Sequence, residues 1–242
     1  MVTPTAGGVF SANNTSTSWQ IEDVRIIADI VTLDNGLQNS YAEHVLSGKS
    51  LPINYSTYIS ILQSCTFPMN VSVTRAVSRL KTVFFNFDGD HSNVTNAITG
   101  VYKDWNSFQH PMQGAYNFNN ELEFQVQIGS KMFPEYPCRS LSQAFYELKK
   151  SLGIASSSYH SISPSRTQYL TDHFIAGIDT EKVIEAGFTG LNTKQGDLMT
   201  IRAKAANSPA QPTNFFAATK IYIVLHTDNI LEIRETGSQI FD

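Results

Sequence analysis

The stretch Glu121–Ile128, ELEFQVQI, alternates charged or amide side chains with large apolar ones along its whole length. A period of two indicates a β-strand with one face in a hydrophobic core and the other face toward solvent or a neighbour. Leu122, Phe124, Val126 and Ile128 form the predicted core face, and the glutamates and glutamines between them form the polar face. This segment therefore predicts a sheet that is covered on one side.

Segments on both sides of this strand are rich in β-branched and aromatic residues and are bounded by turn residues, as strands are. The further predicted strands are 19–33, 51–63, 70–73, 80–87, 174–178, 198–203, 215–225 and 230–233. The last two meet at Asp228-Asn229, which predicts a turn between them. Pro134 and Pro137 predict a break in the chain, because proline does not fit the interior of a sheet.

Two short helices are predicted between the strands. Asn35–Leu46 has apolar residues at helical spacing and is followed by Gly48, which indicates a helix end. Ser140 is a suitable N-cap for a second helix, Leu141–Leu152, whose apolar residues fall on one stripe. Many strands, two isolated helices and long loops predict an all-β fold with a few short helices, and a jelly-roll β-sandwich in particular.

Two polar stretches bear on domain organisation. Residues 1–18 are rich in Gly, Ser and Thr and predict a flexible N-terminal segment. Residues 88–120 contain glycines and prolines but few strand signals. A loop of that length is uncommon inside a compact domain unless it has a function, so we expect an insertion at one end of a sheet.

The composition of the 242 residues narrows the functional class. Hydrophobic residues make up 41% and charged residues only 16%, with a net charge of −4, so no overall basic field is available to bind nucleic acid. Neither a membrane span nor a secretory signal is evident, so we expect a protein that is not secreted. Cys65 and Cys138 are too few for a disulfide framework and predict free thiols.

Glu121 and Glu123 are the residues of interest for catalysis. Standing two apart on one strand, they direct both carboxylates to the same face, as the acid and nucleophile of a retaining glycosidase require. The alternative is that the whole polar face of this strand is simply solvated. No tryptophan-rich sugar platform lies near them in the sequence.

Metal and nucleophile motifs are weak in this sequence. Asp88-Gly89-Asp90-His91 offers oxygen ligands but does not complete a calcium loop, and a tight polar turn explains it equally well. The histidines have no zinc spacing. Cys138 and the serines around Ser163 lack the base and the sequence context that a nucleophile needs. The sequence therefore predicts no catalytic residue, cofactor or metal.

A small basic cluster is formed by Arg75, Arg79 and Lys81, with Lys49 upstream. It is a candidate for contact with an anionic partner such as packaged DNA. Because Arg79 and Lys81 alternate along a predicted strand, a solvated face is the competing interpretation.

Four segments, in this order, resemble double-jelly-roll major capsid proteins. They are Ile21–Ile53 (IEDVRIIADIVTLDNGLQNSYAEHVLSGKSLPI), Arg79–Phe87 (RLKTVFFNF), Leu122–Gly153 (LEFQVQIGSKMFPEYPCRSLSQAFYELKKSLG) and Lys220–Gly237 (KIYIVLHTDNILEIRETG). The resemblance is to the capsid proteins of Polinton/Maverick elements, adintoviruses and virophages. Arg79–Phe87 resembles the strand with which the second jelly roll of that family begins.

This resemblance implies a structural role and a domain division. Residues 19–66 would be the end of a preceding jelly roll with its connecting helix, and residues 67–242 a second roll with the 88–120 loop. Family members carry two rolls and are usually more than twice this length, so the chain corresponds to a truncated form, a gene fragment or one part of a split gene. The implied partners are the chain itself, as a homotrimeric capsomer in the icosahedral shell of a virion, and penton and minor capsid proteins.

Two other functions are also compatible with the sequence. A carbohydrate-binding jelly-roll module would use its long loops and exposed aromatics such as Trp105 and Tyr116 to hold a glycan. A jelly-roll glycoside hydrolase would use Glu121 and Glu123. Both differ from the capsid hypothesis in the expected quaternary state, since a shell protein must associate with itself.

Overall fold

Two antiparallel β-sheets packed face to face form the body of the protein. The computed structural model describes residues 20–89, 121–155, 159–171, 173–181, 189–196, 198–205 and 218–242. The predicted flexible segment 1–18 and most of the predicted 88–120 loop, from residue 90 on, lie outside these residues.

The described residues form three helices and nine strands. The helices are α1 (Asn35–Leu46), α2 (Leu141–Ser151) and α3 (Arg166–Thr171). The strands are β1 (Leu51–Ser64), β2 (Met69–Val73), β3 (Leu80–Gly89), β4 (Leu122–Ile128), β5 (Lys131–Cys138), β6 (Ala176–Asp179), β7 (Met199–Ala205), β8 (Ala218–Arg234) and β9 (Gly237–Phe241).

The strand order is that of a jelly roll. One sheet has the order β1-β8-β3-β6, with β9 also paired to β8, and the other has the order β2-β7-β4-β5. Pairs form between β1 and β8, β2 and β7, β3 and β6, and β4 and β5, all antiparallel. This is the pairing of one long hairpin wound around a common core, and the predicted all-β jelly-roll sandwich is confirmed.

Aromatic and branched side chains from both sheets fill the core. Phe85 of β3 and Phe124 of β4 meet across the sandwich with ring centroids 5.5 Å apart at 88°. Such an edge-to-face contact is a favoured aromatic geometry. Val83 and Leu225 in one sheet and Ile201 in the other have no exposed surface. The alternation that predicted a core face on β4 is therefore confirmed.

Both helices predicted from the sequence form at nearly the predicted residues, but only one of them packs against a sheet. In α2, Ser140 caps the N-terminus by accepting from Gln143 N at 3.0 Å, and the helix packs on β6. Leu141, Ala144 and Leu148 of its apolar stripe are buried. In α1, the Asp34 side chain accepts from the Gly36 N–H, but none of its residues is buried. The apolar residues of α1 therefore face outward.

Strand β8 corrects the predicted turn at Asp228-Asn229. These two residues lie inside one continuous strand, Ala218–Arg234, and both are buried. Asp228 accepts from Ser56 Oγ at 2.6 Å, and the two residues pair with Ser56 and Tyr55 of β1. These partners replace the local hydrogen bonds that a turn would make. The chain turns instead at residues 235–236, before β9.

Strand β5 runs through the two prolines that predicted a break. It pairs with β4, and a bulge between the Phe124 and Val126 positions accommodates its extra residues. Gln125 donates from Nε2 to the carbonyl oxygens of Pro134 and Glu135 at 2.8 and 3.1 Å, so the side chain holds the bulge. The bulge explains why prolines occur in this strand.

The N-terminal part of the described chain differs from its prediction. Gln20–Leu33 forms no strand with any described residue. Leu51–Ser64, assigned by the resemblance to the end of a preceding roll, pairs with β8 along its whole length. Arg79–Phe87, expected at the start of a roll, includes most of β3, the third strand in chain order.

Candidate functional site

Glu123, one of the two glutamates considered as a catalytic pair, lies next to two positively charged side chains of the protein. Glu123 is 9% exposed, and Arg139 Nη2 lies 3.0 Å from one of its oxygens without hydrogen-bond geometry. Lys204 Nζ lies 3.5 Å from the other oxygen, directly across the sheet on β7. Glu121 is partly buried just before β4. The two cations link Glu123 to β7 and to the segment before α2.

A shallow groove of about 380 Å³ lies over this part of the four-stranded sheet. Its lining residues are Pro68, Met69, Asn70, Glu123, Phe124, Gln125, Arg202, Ala203 and Lys204. Phe124 is the aromatic residue among them, and it is a core residue with 2% exposure. The lining therefore offers no exposed ring on which a sugar could stack. Trp105 and Tyr116, the aromatics expected for a glycan site, lie outside the described residues.

The predicted metal and nucleophile candidates do not form a site in the described part of the chain. Asp90 and His91 are not described, and no group of three His, Cys, Asp or Glu suitable for a metal occurs among the residues that are. Burial raises the pKa of the Cys65 thiol to about 11. Burial and the charge of Glu147 raise the pKa of Cys138 to about 12. Both thiols are therefore protonated and unreactive at neutral pH.

The predicted basic cluster is engaged within the protein. Arg75 Nη2 lies 3.0 Å from the Asp242 carboxylate, and Arg79 Nε donates to the Asp228 carbonyl oxygen at 3.1 Å. Lys81 Nζ lies 3.4 Å from carboxylate oxygens of both Glu181 and Asp228. Arg79 and Lys81 thus hold the start of β3 to β8, whereas the Arg75 side chain is 53% exposed and Lys49 lies on the surface.

A charged pocket of about 180 Å³ lies next to Lys81. Its second lysine, Lys150, lies 3.9 Å from Glu147 and 3.8 Å from Asp179. Each lysine thus stands between two carboxylates, so the pocket has no surplus positive charge for an anion. His226 lines the pocket and stacks on Tyr58 at 4.7 Å. Burial, and then the charge of Lys81, lower the pKa of His226.

An apolar groove of about 750 Å³ lies on the outer face of the five-stranded sheet. Its floor includes Tyr58 of β1, Phe84 of β3, and Tyr222 and Val224 of β8. Side chains from α2 and from residues 162–164 form its wall. Sequence reasoning missed this groove, because its floor residues come from three strands whose register is not visible in the sequence.

Two other apolar surfaces lie near the start of the described chain. The extended segment before α1 exposes isoleucines almost completely, with Ile26 at 94% and Ile30 at 92%. Strand β1 exposes Tyr58 at 64% and Leu62 at 54%. Uncovered apolar surface of this extent marks a site of association in soluble proteins. The described helices contain none long and apolar enough to span a membrane.

Comparisons with known proteins identify the fold. No family model matches the sequence, and no curated protein matches it. The crystal structure of PBCV-1 VP54, fitted into a cryo-EM reconstruction of the virophage Sputnik, is similar over 86% of this chain with a TM-score of 0.50 and 11% identity. A quasi-atomic model of the PBCV-1 virus capsid aligns over 86% with a TM-score of 0.43 and 14% identity. This chain covers 54% of each of those chains, so it spans about half their length.

Proposed function

We propose that this chain is a structural capsid protein that associates with itself in the shell of a DNA virus or virus-like element. The observation that carries the proposal is the jelly-roll pairing of β1 to β8, β2 to β7, β3 to β6 and β4 to β5, together with the likeness to PBCV-1 VP54 over 86% of the chain. A shell protein needs large surfaces that fit neighbouring copies, rather than a catalytic centre.

The uncovered apolar surfaces support self-association. The groove over the outer sheet face and the exposed residues of β1 would remain in water in a monomer. Removal of such surface from water contributes about 25 cal/mol per Å², from which the entropic costs of association are subtracted. We propose a homotrimer as the unit and an icosahedral shell as the product, with penton and minor capsid proteins as further partners. The proposed location is the virion, after synthesis inside the host cell.

The proposed domain division follows the pairing of the strands. The second jelly roll of a double-roll protein would extend from β1 to β9, and the segment before β1 with α1 would connect it to a preceding roll. We propose that the roll starts earlier than residue 67, and the membership of β1 in the same sheet as β3 and β8 supports this. The specific kinship with Polinton, adintovirus and virophage proteins is part of the proposal.

Light scattering coupled to size-exclusion chromatography tests the proposal, followed by negative-stain imaging of the largest species. The expected mass is three times 26.9 kDa, with ordered lattices or particles at high protein concentration. A monomer at every concentration, without ordered assemblies, would contradict it. The variant Glu123→Gln should assemble like the original chain, because the proposal gives this carboxylate no chemical role.

A further inference from the structure

The outer face of the four-stranded sheet carries charged and amide side chains that are partly enclosed. Glu123 and Gln125 alternate with the core residues of β4, yet they are only 9% and 8% exposed. Arg202 and Lys204 stand beside them on β7 and line the same groove of about 380 Å³. This volume falls within the range of small-ligand sites, about 300–1,000 Å³.

The register of three strands determines the neighbours of Arg202. Asn70 of β2 lies directly opposite it on one side, and Gln125 of β4 lies opposite it on the other side. Side chains at such positions are direct neighbours on one face of a sheet, with Cβ atoms about 4.5–5.5 Å apart. Arg202 therefore stands between two neutral amides, and neither of these neighbouring positions holds a carboxylate.

Other arginines of the described chain have a carboxylate close by. The distance from a guanidinium nitrogen to a carboxylate oxygen is 3.0 Å or less for Arg25, Arg75, Arg139 and Arg234. Lys204 lies opposite Glu123, with 3.5 Å from its Nζ to a carboxylate oxygen. Of the two cations that line the groove, Arg202 is thus the one without a carboxylate opposite it.

Glu123 is shared between two cations, which leaves part of the charge of Lys204 uncompensated. Arg139 Nη2 lies 3.0 Å from one carboxylate oxygen, closer than Lys204 Nζ lies to the other. The Lys204 side chain is 56% exposed, so its ammonium group is accessible from the groove. Two cations and one shared carboxylate give the groove a positive surplus, in a chain whose net charge is −4.

The floor of the groove is held in place by the protein itself. Gln125 Nε2 donates to the carbonyl oxygens of Pro134 and Glu135 at 2.8 and 3.1 Å. Glu123 is held by its two cations, and Phe124 between these residues is packed in the core. A preorganised site loses less conformational freedom when a ligand binds.

We propose that this groove binds a ligand through an oxyanion (a carboxylate, phosphate or sulfate group) that Arg202 and Lys204 hold together with the amide of Asn70. This inference goes beyond the proposed function and does not depend on self-association. A guanidinium group offers two parallel donors to such an anion, and an ammonium group adds a point charge. Arg202 and Lys204 stand two apart on one strand, so their Cα atoms are about 7 Å apart and one anion can reach both side chains.

The groove has more room than a single inorganic anion fills, so we expect the oxyanion to be one group of a larger polar ligand. Hydroxyl groups of that ligand would meet Asn70 and Gln125, because the lining offers no exposed aromatic ring. An acidic saccharide combines an oxyanion with such hydroxyls. A free inorganic anion shares the oxyanion chemistry, and the experiment separates these two sources.

Isothermal titration calorimetry of the full chain at low ionic strength tests the site with a sulfated disaccharide, the same disaccharide without sulfate, and inorganic sulfate. The sulfated disaccharide should bind, and its affinity should fall as salt is added, because salt screens exposed charges. Equal affinity for inorganic sulfate would identify a free anion as the source, whereas tighter binding of the sulfated disaccharide would identify an acidic saccharide. Equal binding of the unsulfated disaccharide, or no binding of either sulfate-bearing probe, would overturn the proposal.

Two variants should change the affinity in opposite directions. Arg202→Gln with Lys204→Gln removes both cations and should raise the dissociation constant about tenfold or more. Glu123→Gln removes the carboxylate that competes for the cations and should lower the dissociation constant by about two- to fivefold. Unchanged affinity of the double variant, or weaker binding by Glu123→Gln, would contradict the proposed site. Far-UV circular dichroism of the double variant should match that of the original chain, since both altered side chains are exposed.

A matched control removes the same charges elsewhere. Arg166→Gln with Lys220→Gln replaces one exposed arginine and one exposed lysine and should leave the affinity unchanged. If this control weakens binding as strongly as the double variant in the groove, the effect comes from the net charge of the chain and the proposal is wrong.

Light scattering on the same variants separates this inference from the proposed function. If the loss of Arg202 and Lys204 lowers the mass of the assembly, these cations contact a neighbouring copy, which contradicts a ligand site. A monomeric original chain that still binds the sulfated disaccharide would support the ligand site and contradict the capsid proposal.

Discussion

Replacement of Lys81 by methionine should remove the strongest electrostatic link between β3 and β8. The Lys81 side chain is 17% exposed and lies 3.4 Å from Glu181, which is 10% exposed, and 3.4 Å from Asp228, which is 5% exposed. Loss of the cation leaves two nearly buried carboxylates facing each other. Breaking a buried ion pair by removing one partner costs about 3–5 kcal/mol, and the residual exposure of Lys81 places the expected loss near 3 kcal/mol.

Urea denaturation followed by far-UV circular dichroism measures this loss at a fixed protein concentration, because association also contributes to apparent stability. For a chain of this size, a loss of about 3 kcal/mol corresponds to a fall in Tm of about 6–12 °C.

The matched control is Arg234→Met. Arg234 forms a closer ion pair, 2.6 Å from Glu232, but its side chain is 51% exposed. An exposed pair contributes at most about 1 kcal/mol, so this variant should lose far less stability than Lys81→Met. Equal losses in both variants, or a loss below about 1 kcal/mol for Lys81→Met, would refute the argument that burial determines the effect.

Three further outcomes are expected, for the two cysteines, for His226 and for Gly190. Cys65 and Cys138 should not react with a thiol reagent at pH 8 in the folded chain, since their pKa values are about 11 and about 12. Both thiols should react once the chain is unfolded in guanidinium. Rapid reaction of the folded chain would contradict this prediction. Burial and a neighbouring ammonium group lower the pKa of His226 below its ordinary 6.5, so the unfolded chain binds more protons. Stability should therefore fall as pH drops below 6.5, and urea midpoints of His226→Gln should lack that part of the fall. Gly190→Ala should cost about 2 kcal/mol in urea denaturation, because its Cβ would stand 2.4 Å from the carbonyl carbon of Arg79; an unchanged midpoint would show that this backbone can move apart.

Local patterns predicted the elements whose formation depends on nearby residues. The helix Asn35–Leu46 was predicted at its observed ends, because the helical spacing of its apolar residues and its terminating Gly48 are local signals. The core face of β4 was also predicted, since alternation reports burial on one side. The burial of residues on the other face of β4 was not predicted. Gln125 is buried because the bulge of β5 lies over it, and this bulge is not visible in the sequence.

The errors occur where a distant partner overrides a local preference. Asp228-Asn229 has turn chemistry, yet Ser56 and Lys81 satisfy Asp228 within a continuous strand. Residues 20–33 show the converse case, since they have the composition of a strand but pair with no described residue. The apolar groove depends on Tyr58 of β1 and on Tyr222 and Val224 of β8 lying on one face of the sheet, which the β1–β8 register determines.

The position of β8 in the chain has a consequence for biosynthesis. This strand pairs with β1, β3 and β9, and Ser56 binds Asp228, which is 172 residues later. On the ribosome, β1 emerges long before the strand that must lie beside it. The five-stranded sheet therefore cannot close until β8 has been translated, and contacts so distant in sequence form slowly. Until then, β1 and β3 lack the strand that lies between them.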